Sequence, residues 1–133
     1  MRYSVLLVEN DDDMRTLYGF TLANAGFQVK AVSNGFDALT ELQWHCPDVI
    51  LTDLAMPVLD GITLIEIIKS RAELADIPVI AMTAYGQTLQ RLAKAAGADL
   101  SVEKPTELRS VRDLVTSVLP QPQLRQSQPD DVA

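Results

Sequence analysis

The chain has 133 residues, 47% of them hydrophobic, and a formal net charge of −7. That length holds one domain with a real core and is too short for two ordinary ones, and the apolar fraction excludes a wholly disordered chain. With 11 Lys and Arg against 18 Asp and Glu and no basic cluster, the composition argues against direct nucleic-acid binding, which needs patches of positive charge for the phosphate backbone.

In chain order, short apolar runs alternate with helical periods. Tyr3 to Val8 reads as a buried strand. Met14, Leu17, Tyr18, Thr21, Leu22 and Ala25 then recur at helical spacing, and that helix stops near Gly26. Phe27 to Val32 is a second strand, Asn34-Gly35 a turn, and Ala38, Leu39 and Leu42 mark a second helix closed by Pro47. Val49 to Thr52 is the third strand, and Leu64, Ile65 and Ile68 mark the third helix. Pro78 to Met82 is the fourth strand; Leu89, Leu92, Ala93 and Ala96 mark a helix ended by Gly97. Leu100 to Val102 is a short fifth strand, and Leu108, Val111, Leu114, Val115 and Val118 mark the last helix. From Pro120 onward Pro and Gln dominate without apolar period, so residues 120–133 read as a disordered tail or linker stub behind a domain over 1–119.

Strands apolar on both faces, alternating with helices, imply a three-layer α/β/α, doubly wound fold around a five-stranded parallel sheet. In such sheets ligands bind at the carboxyl ends of the strands. The polar residues fall there: Glu9, Asn10 and Asp11 after the first strand, Asp53 after the third, Thr83 after the fourth, Glu103-Lys104-Pro105 after the fifth. Carboxylates, a hydroxyl and a lysine converging on one edge are the groups needed for phosphoryl transfer to an aspartate. Asp11, Asp12 and Asp13 read as capping and first-turn residues of a helix, and Asp60 as a loop or capping residue. Trp44, His45 and Cys46 end the second helix; one histidine and one cysteine are too few for a metal site.

Cys46 is the single cysteine, so no internal disulfide can form, which suits a reducing compartment. No run approaches the roughly 18 apolar residues of a membrane span, and Met1-Arg2-Tyr3 leads into an apolar run too short for a signal peptide. A cytoplasmic protein without a membrane partner is expected.

These residues, with Met56-Pro57-x-x-Asp60-Gly61, Thr83-Ala84, Gly97-Ala98-Asp99 and Lys104-Pro105, resemble the receiver domain of two-component response regulators, chemotaxis regulators among them, over about residues 3 to 119. The resemblance implies a flavodoxin-like strand order 2-1-3-4-5. It implies Asp53 as phosphoacceptor, with Lys104 and Thr83 contacting phosphoryl oxygens. Mg²⁺ is the implied cofactor, held by Glu9, Asn10, Asp53 and the Ala55 main-chain carbonyl. A histidine kinase or phosphotransfer protein is the implied donor, and the Lys104–Pro105 peptide bond is implied to be cis. The function implied is a phosphorylation-activated signalling switch of a two-component system or phosphorelay, one that assists its own phosphoryl transfer and hydrolysis without being an enzyme in the ordinary sense.

Three positions depart from the family pattern. Asn10 stands where a second carboxylate is usual, Ser101 where an aromatic rotates inward on switching, and Thr106 where phenylalanine is usual. Asn10 and Ser101 favour an alternative in which the chain is a receiver-like interaction module that is not phosphorylated. An aspartate-nucleophile phosphatase would want a second aspartate at Ala55, and a flavin-binding protein would want a Ser/Thr/Gly phosphate loop where Glu9 to Asp13 stand.

Overall fold

The computed structural model describes residues 2–104 and 107–120. Five strands alternate with five helices: β1 (Ser4–Val8), α1 (Asp12–Asn24), β2 (Gln28–Val32), α2 (Gly35–Leu42), β3 (Val49–Asp53), α3 (Gly61–Ser70), β4 (Val79–Thr83), α4 (Gln87–Ala96), β5 (Leu100–Glu103) and α5 (Leu108–Val118). The strands form one parallel sheet in the order β2-β1-β3-β4-β5, as the resemblance implied. The Lys104–Pro105 peptide bond, Thr106 and the expected tail from 121 on lie outside the described residues.

Because side chains alternate across a strand, each apolar run supplies both faces of the sheet. Leu6, Val8, Ile50, Val79 and Ala81 pack with Ala38, Leu42, Leu64, Ile65, Ile68 and Ala93 on the side of α2, α3 and α4. Val5, Leu7, Val49, Leu51, Ile80 and Met82 pack with Tyr18, Leu22, Val111 and Val115 on the side of α1 and α5. Burying each large aliphatic chain contributes roughly 1.5–3 kcal/mol, so the two clusters fix both sheet faces. The expectation of strands apolar on both faces holds for the central β1, β3 and β4. At the edges it does not: β2 is largely exposed and β5 half-buried, because an edge strand is flanked on one side only.

The strand ends differ from the periodicity by one residue. β3, β4 and β5 each run one residue further, to Asp53, Thr83 and Glu103, because the ladder pairs Asp53 with Met82 and Thr83 with Glu103. The polar residues are therefore the last rungs of the sheet rather than the first residues of loops. β1, β2 and β4 likewise start one residue later than read, at Ser4, Gln28 and Val79.

Helix starts follow local chemistry. Asp11 caps α1, accepting from the Met14 N–H at 2.9 Å, and Asp12 and Asp13 fill its first turn. Asp60 caps α3 and accepts from the Thr63 N–H at 2.8 Å. Asn34-Gly35, expected as a turn, instead starts α2: the Asn34 side chain accepts from the Asp37 N–H at 2.8 Å. The same helix stops at Leu42, short of Pro47, and leaves Trp44, His45 and Cys46 in exposed structure beyond it. Gly26, with φ of 101°, takes the left-handed turn that ends α1.

Among the described residues, one that is not glycine is strained. Val58, between β3 and α3, has φ of 72°, a conformation in which Cβ crowds the following carbonyl. It is 86% exposed, so packing does not compensate. Val58→Gly, which has no Cβ to crowd the carbonyl, is expected to stabilise the fold by about 1 kcal/mol. Thermal melts of the two proteins check this; a variant that melts at or below the wild-type temperature contradicts it.

Candidate functional site

The strand order reverses between β1 and β3, so the carboxyl ends of these two strands border the cleft where a doubly wound sheet binds its ligand. Glu9 follows β1 and Asp53 ends β3. Both carboxylates are buried, and both meet one cation: Lys104 Nζ lies 2.8 Å from Glu9 Oε1 and 3.3 Å from Asp53 Oδ2. The lysine reaches them because its main-chain N–H donates to the Thr83 carbonyl at 2.8 Å, extending the β4–β5 pairing by one residue.

The remaining oxygens are also held. Asp53 Oδ1 accepts from the Ala55 N–H at 3.2 Å, and Glu9 Oε2 from the Asp11 N–H at 3.1 Å. Arg15 donates to the Glu9 carbonyl at 3.0 Å, tying the first turns of α1 to the end of β1. Thr83 is buried, and its hydroxyl oxygen accepts from the Tyr85 N–H at 3.0 Å. Gly61 is needed for close approach: a Cβ there would collide with the Asp53 carbonyl oxygen and the Leu54 Cα.

Of the residues picked out in the sequence, Glu9, Asp53, Thr83 and Lys104 thus gather at one edge. Asn10 is exposed beside Glu9, and Ala55 lies in the loop just after Asp53. Asp11 is committed to capping α1 and does not replace the missing charge at position 10. Among the described residues, no three His, Cys, Asp or Glu side chains come together as a metal cluster. The candidate metal set is instead two carboxylates, the Asn10 amide and the Ala55 carbonyl. Two buried carboxylates against one lysine leave a net negative charge, and hard oxygen donors with one excess charge fit a magnesium ion that keeps several waters.

Burial raises the Glu9 pKa above the ordinary carboxylate value; the bond from Lys104 opposes this and the Asp53 charge adds to it. For Lys104, burial acts to lower the pKa, but the bond to Glu9 and the charges of Asp53 and Glu9 outweigh it, and the lysine is held charged to higher pH.

Two buried hydroxyls, of Tyr18 and Ser101, have no hydrogen-bond partner among the described residues. Neither orphan was visible in the sequence, where Tyr18 read only as one position of an apolar face. Ser101, in the position expected of an aromatic, borders a shallow groove with Gln87, Gln90, Arg91 and Lys94.

Comparison with known proteins agrees with the fold. The family model of the response regulator receiver domain matches residues 5–116. The sporulation initiation phosphotransferase F of Bacillus subtilis is 32% identical over 121 residues, covering 90% of this chain and 96% of that protein. The transcriptional regulatory protein GltR of Pseudomonas aeruginosa is 33% identical over 130 residues, 97% of this chain but 54% of the relative. The chain spans about half the length of several curated relatives it matches. The chemotaxis protein CheY4 of Vibrio cholerae superposes with a TM-score of 0.82 at 25% identity, over 90% of this chain and all of that one. The chain belongs to the response regulator receiver domain family, signalling domains of two-component systems whose state is switched by phosphorylation.

The shared lysine sets a stability prediction. Lys104→Met removes the cation and leaves Glu9 buried without a counter-charge, which is expected to destabilise the fold by about 3–5 kcal/mol at neutral pH. A carboxyl whose folded pKa is raised favours the fold when protonated and loses that contribution as pH rises through the folded value. The gap between wild type and variant should therefore narrow as pH falls from 8 toward 5. Urea melts at both ends of that range measure it, and a gap of constant size would show that Glu9 does not depend on Lys104.

Proposed function

We propose that Asp53 is the phosphoacceptor and that Lys104 and Thr83 hold the phosphoryl oxygens. The observation that supports this most directly is the single lysine bridging the carboxylates that end β1 and β3. In the transfer, a bond forms from an Asp53 carboxylate oxygen to phosphorus as the bond from phosphorus to the donor breaks. A phosphohistidine of a histidine kinase or phosphotransfer protein is the donor proposed, since response regulators are the relatives. The reaction has little covalent chemistry for the protein to supply, so positioning and charge neutralisation dominate. Asp53 is held by the Ala55 N–H and Lys104, and its backbone is packed against Gly61. Lys104, with three N–H donors, can turn from the carboxylates to give a bond to a phosphoryl oxygen. The Thr83 hydroxyl, now accepting from Tyr85, has its own hydrogen to donate. Mg²⁺, when bound by Glu9, Asn10, Asp53 and the Ala55 carbonyl, supplies positive charge against the phosphoryl group.

The partner is thus a kinase or phosphotransfer protein rather than nucleic acid. No helix among the described residues is long and apolar enough to cross a membrane, and a cytoplasmic site of action accords with the single cysteine. Asn10 and Ser101 favour a second reading, an interaction module that binds partners without being phosphorylated. One experiment separates the two. Incubation with a small acyl-phosphate donor and Mg²⁺ should give an alkali-labile phosphoryl adduct by intact mass, absent from Asp53→Asn. Label that persists in the variant moves the acceptor elsewhere; no label on the wild type leaves the second reading.

Position 10 also generates a metal prediction. Asparagine offers an oxygen but no charge. Asn10→Asp adds a unit negative charge beside a divalent ion and is expected to tighten Mg²⁺ binding about tenfold, or about 1.4 kcal/mol. Calorimetric titration of both proteins decides it; equal affinities would place residue 10 outside the metal shell.

A further inference from the structure

Tyr18 is fully buried in the cluster on the α1/α5 side of the sheet, yet its hydroxyl has no hydrogen-bond partner among the described residues. A phenylalanine would fill the same space without stranding a polar atom, so packing alone does not account for a tyrosine. Its place on α1 is specific. Tyr18 lies one turn after Arg15, which donates to the Glu9 carbonyl, and helical side chains of this length lean back toward the helix N-terminus. On α1 that direction leads to the carboxyl edge of the sheet. Glu9 and Asp53 stand two residues beyond Leu7 and Leu51, which pack in the same cluster as Tyr18, so alternation puts them on its face of the sheet.

Glu9 is the group that would need it. The Glu9 side chain is wholly buried, and Oε1 has Lys104 as its donor, while Oε2 has the Asp11 N–H. A lysine drawn toward a phosphoryl group on Asp53 weakens its bond to Oε1, and the wholly buried carboxylate, even with a cation bound, then has one hydrogen-bond donor fewer. The orphan phenol O–H is a donor with nothing to bond. We propose that Tyr18 is a positioning residue of the phosphorylation site, its hydroxyl donating to Glu9 when Lys104 turns to the phosphoryl group and so easing the release of the lysine. This rests on Asp53 being the acceptor.

The test uses the whole chain and Tyr18→Phe. Phosphorylation by a small acyl-phosphate donor with Mg²⁺ is tracked by intact mass, and thermal melts are recorded for both proteins. Near-ultraviolet difference spectra are taken between the free and phosphorylated forms; the wild-type difference minus that of Tyr18→Phe isolates the Tyr18 phenol. The expected result is a phosphorylation rate about fivefold lower in the variant, the equivalent of one ordinary hydrogen bond. The melting temperature should be equal or higher, and the Tyr18 component should shift on phosphorylation. A merely structural tyrosine would not pair slower phosphorylation with undiminished stability. Equal rates, a rate loss that tracks a lowered melting temperature, or an unchanged phenol spectrum in the labelled wild type each overturn the inference while the acceptor assignment stands. Absence of label from the wild type overturns the acceptor assignment, and the role of Tyr18 with it.

Discussion

One ammonium group shared by two buried carboxylates is the constraint around which the upper edge of this sheet is arranged. Glu9 and Asp53 would repel each other across the β1–β3 cleft, and neither is in bulk water to be screened. Lys104 holds them together from a third strand end, 95 and 51 residues away in sequence. The pairing is possible only if β1, β3 and β5 end at the same height. Sheet register supplies that: Val8 lies opposite Thr52, Asp53 opposite Met82 and Thr83 opposite Glu103. A slip of one residue would also turn every apolar side chain to the wrong face, so the core that fixes register fixes the charge triad too.

Local devices then hold the loops that carry the charges. Asp11 ends its loop by capping α1, which turns its own N–H toward Glu9 Oε2. Asp60 caps α3 directly after the loop from Asp53, and the absent side chain of Gly61 lets that helix start against the Asp53 backbone. Between them, Val58 takes its positive φ inside a three-residue turn that the Leu59 N–H closes on the Pro57 carbonyl at 2.8 Å. The loop of the proposed acceptor therefore carries backbone strain next to a rigid strand end, in keeping with the tendency of strained residues to collect at functional sites.

Much of this was legible in the residues. The five apolar runs, each closed by a polar residue, led to the layer order and to the edge on which the site lies, because burial on both faces leaves a strong sequence signal. Boundaries were less legible: Asp53, Thr83 and Glu103 look like loop residues by hydropathy but belong to the ladder, since backbone pairing does not depend on side-chain polarity. Asn34 read as a turn because the same side chain serves turns and helix caps, and only the Asp37 N–H decides between them. The exposure of β2 comes from its edge position, which topology determines and a local window does not. The bond from Lys104 to Glu9 and the unpartnered Tyr18 hydroxyl depend on distances across the fold, and no spacing in the chain encodes them.

Two of the three departures from the family pattern, Asn10 and Ser101, act on separate parts of the proposed switch. Asn10 is exposed at the rim of the cleft, where a charge would bear on a cation, while the acceptor, the lysine and the threonine keep their buried contacts without it. Ser101 lies on β5 opposite Ala81, on the α4 face, away from Glu9. Its small side chain borders the groove lined by Arg91 and Lys94, so in the proposed switch it would bear on the response rather than on the transfer. A ligand shifts a two-state domain only as far as its affinities for the two states differ. A weaker cation site lowers how much of the domain is loaded; a serine in place of a rotating aromatic lowers how much the loaded and free states differ at the α4 face. Either effect can be small while the chemistry proposed at Asp53 remains intact.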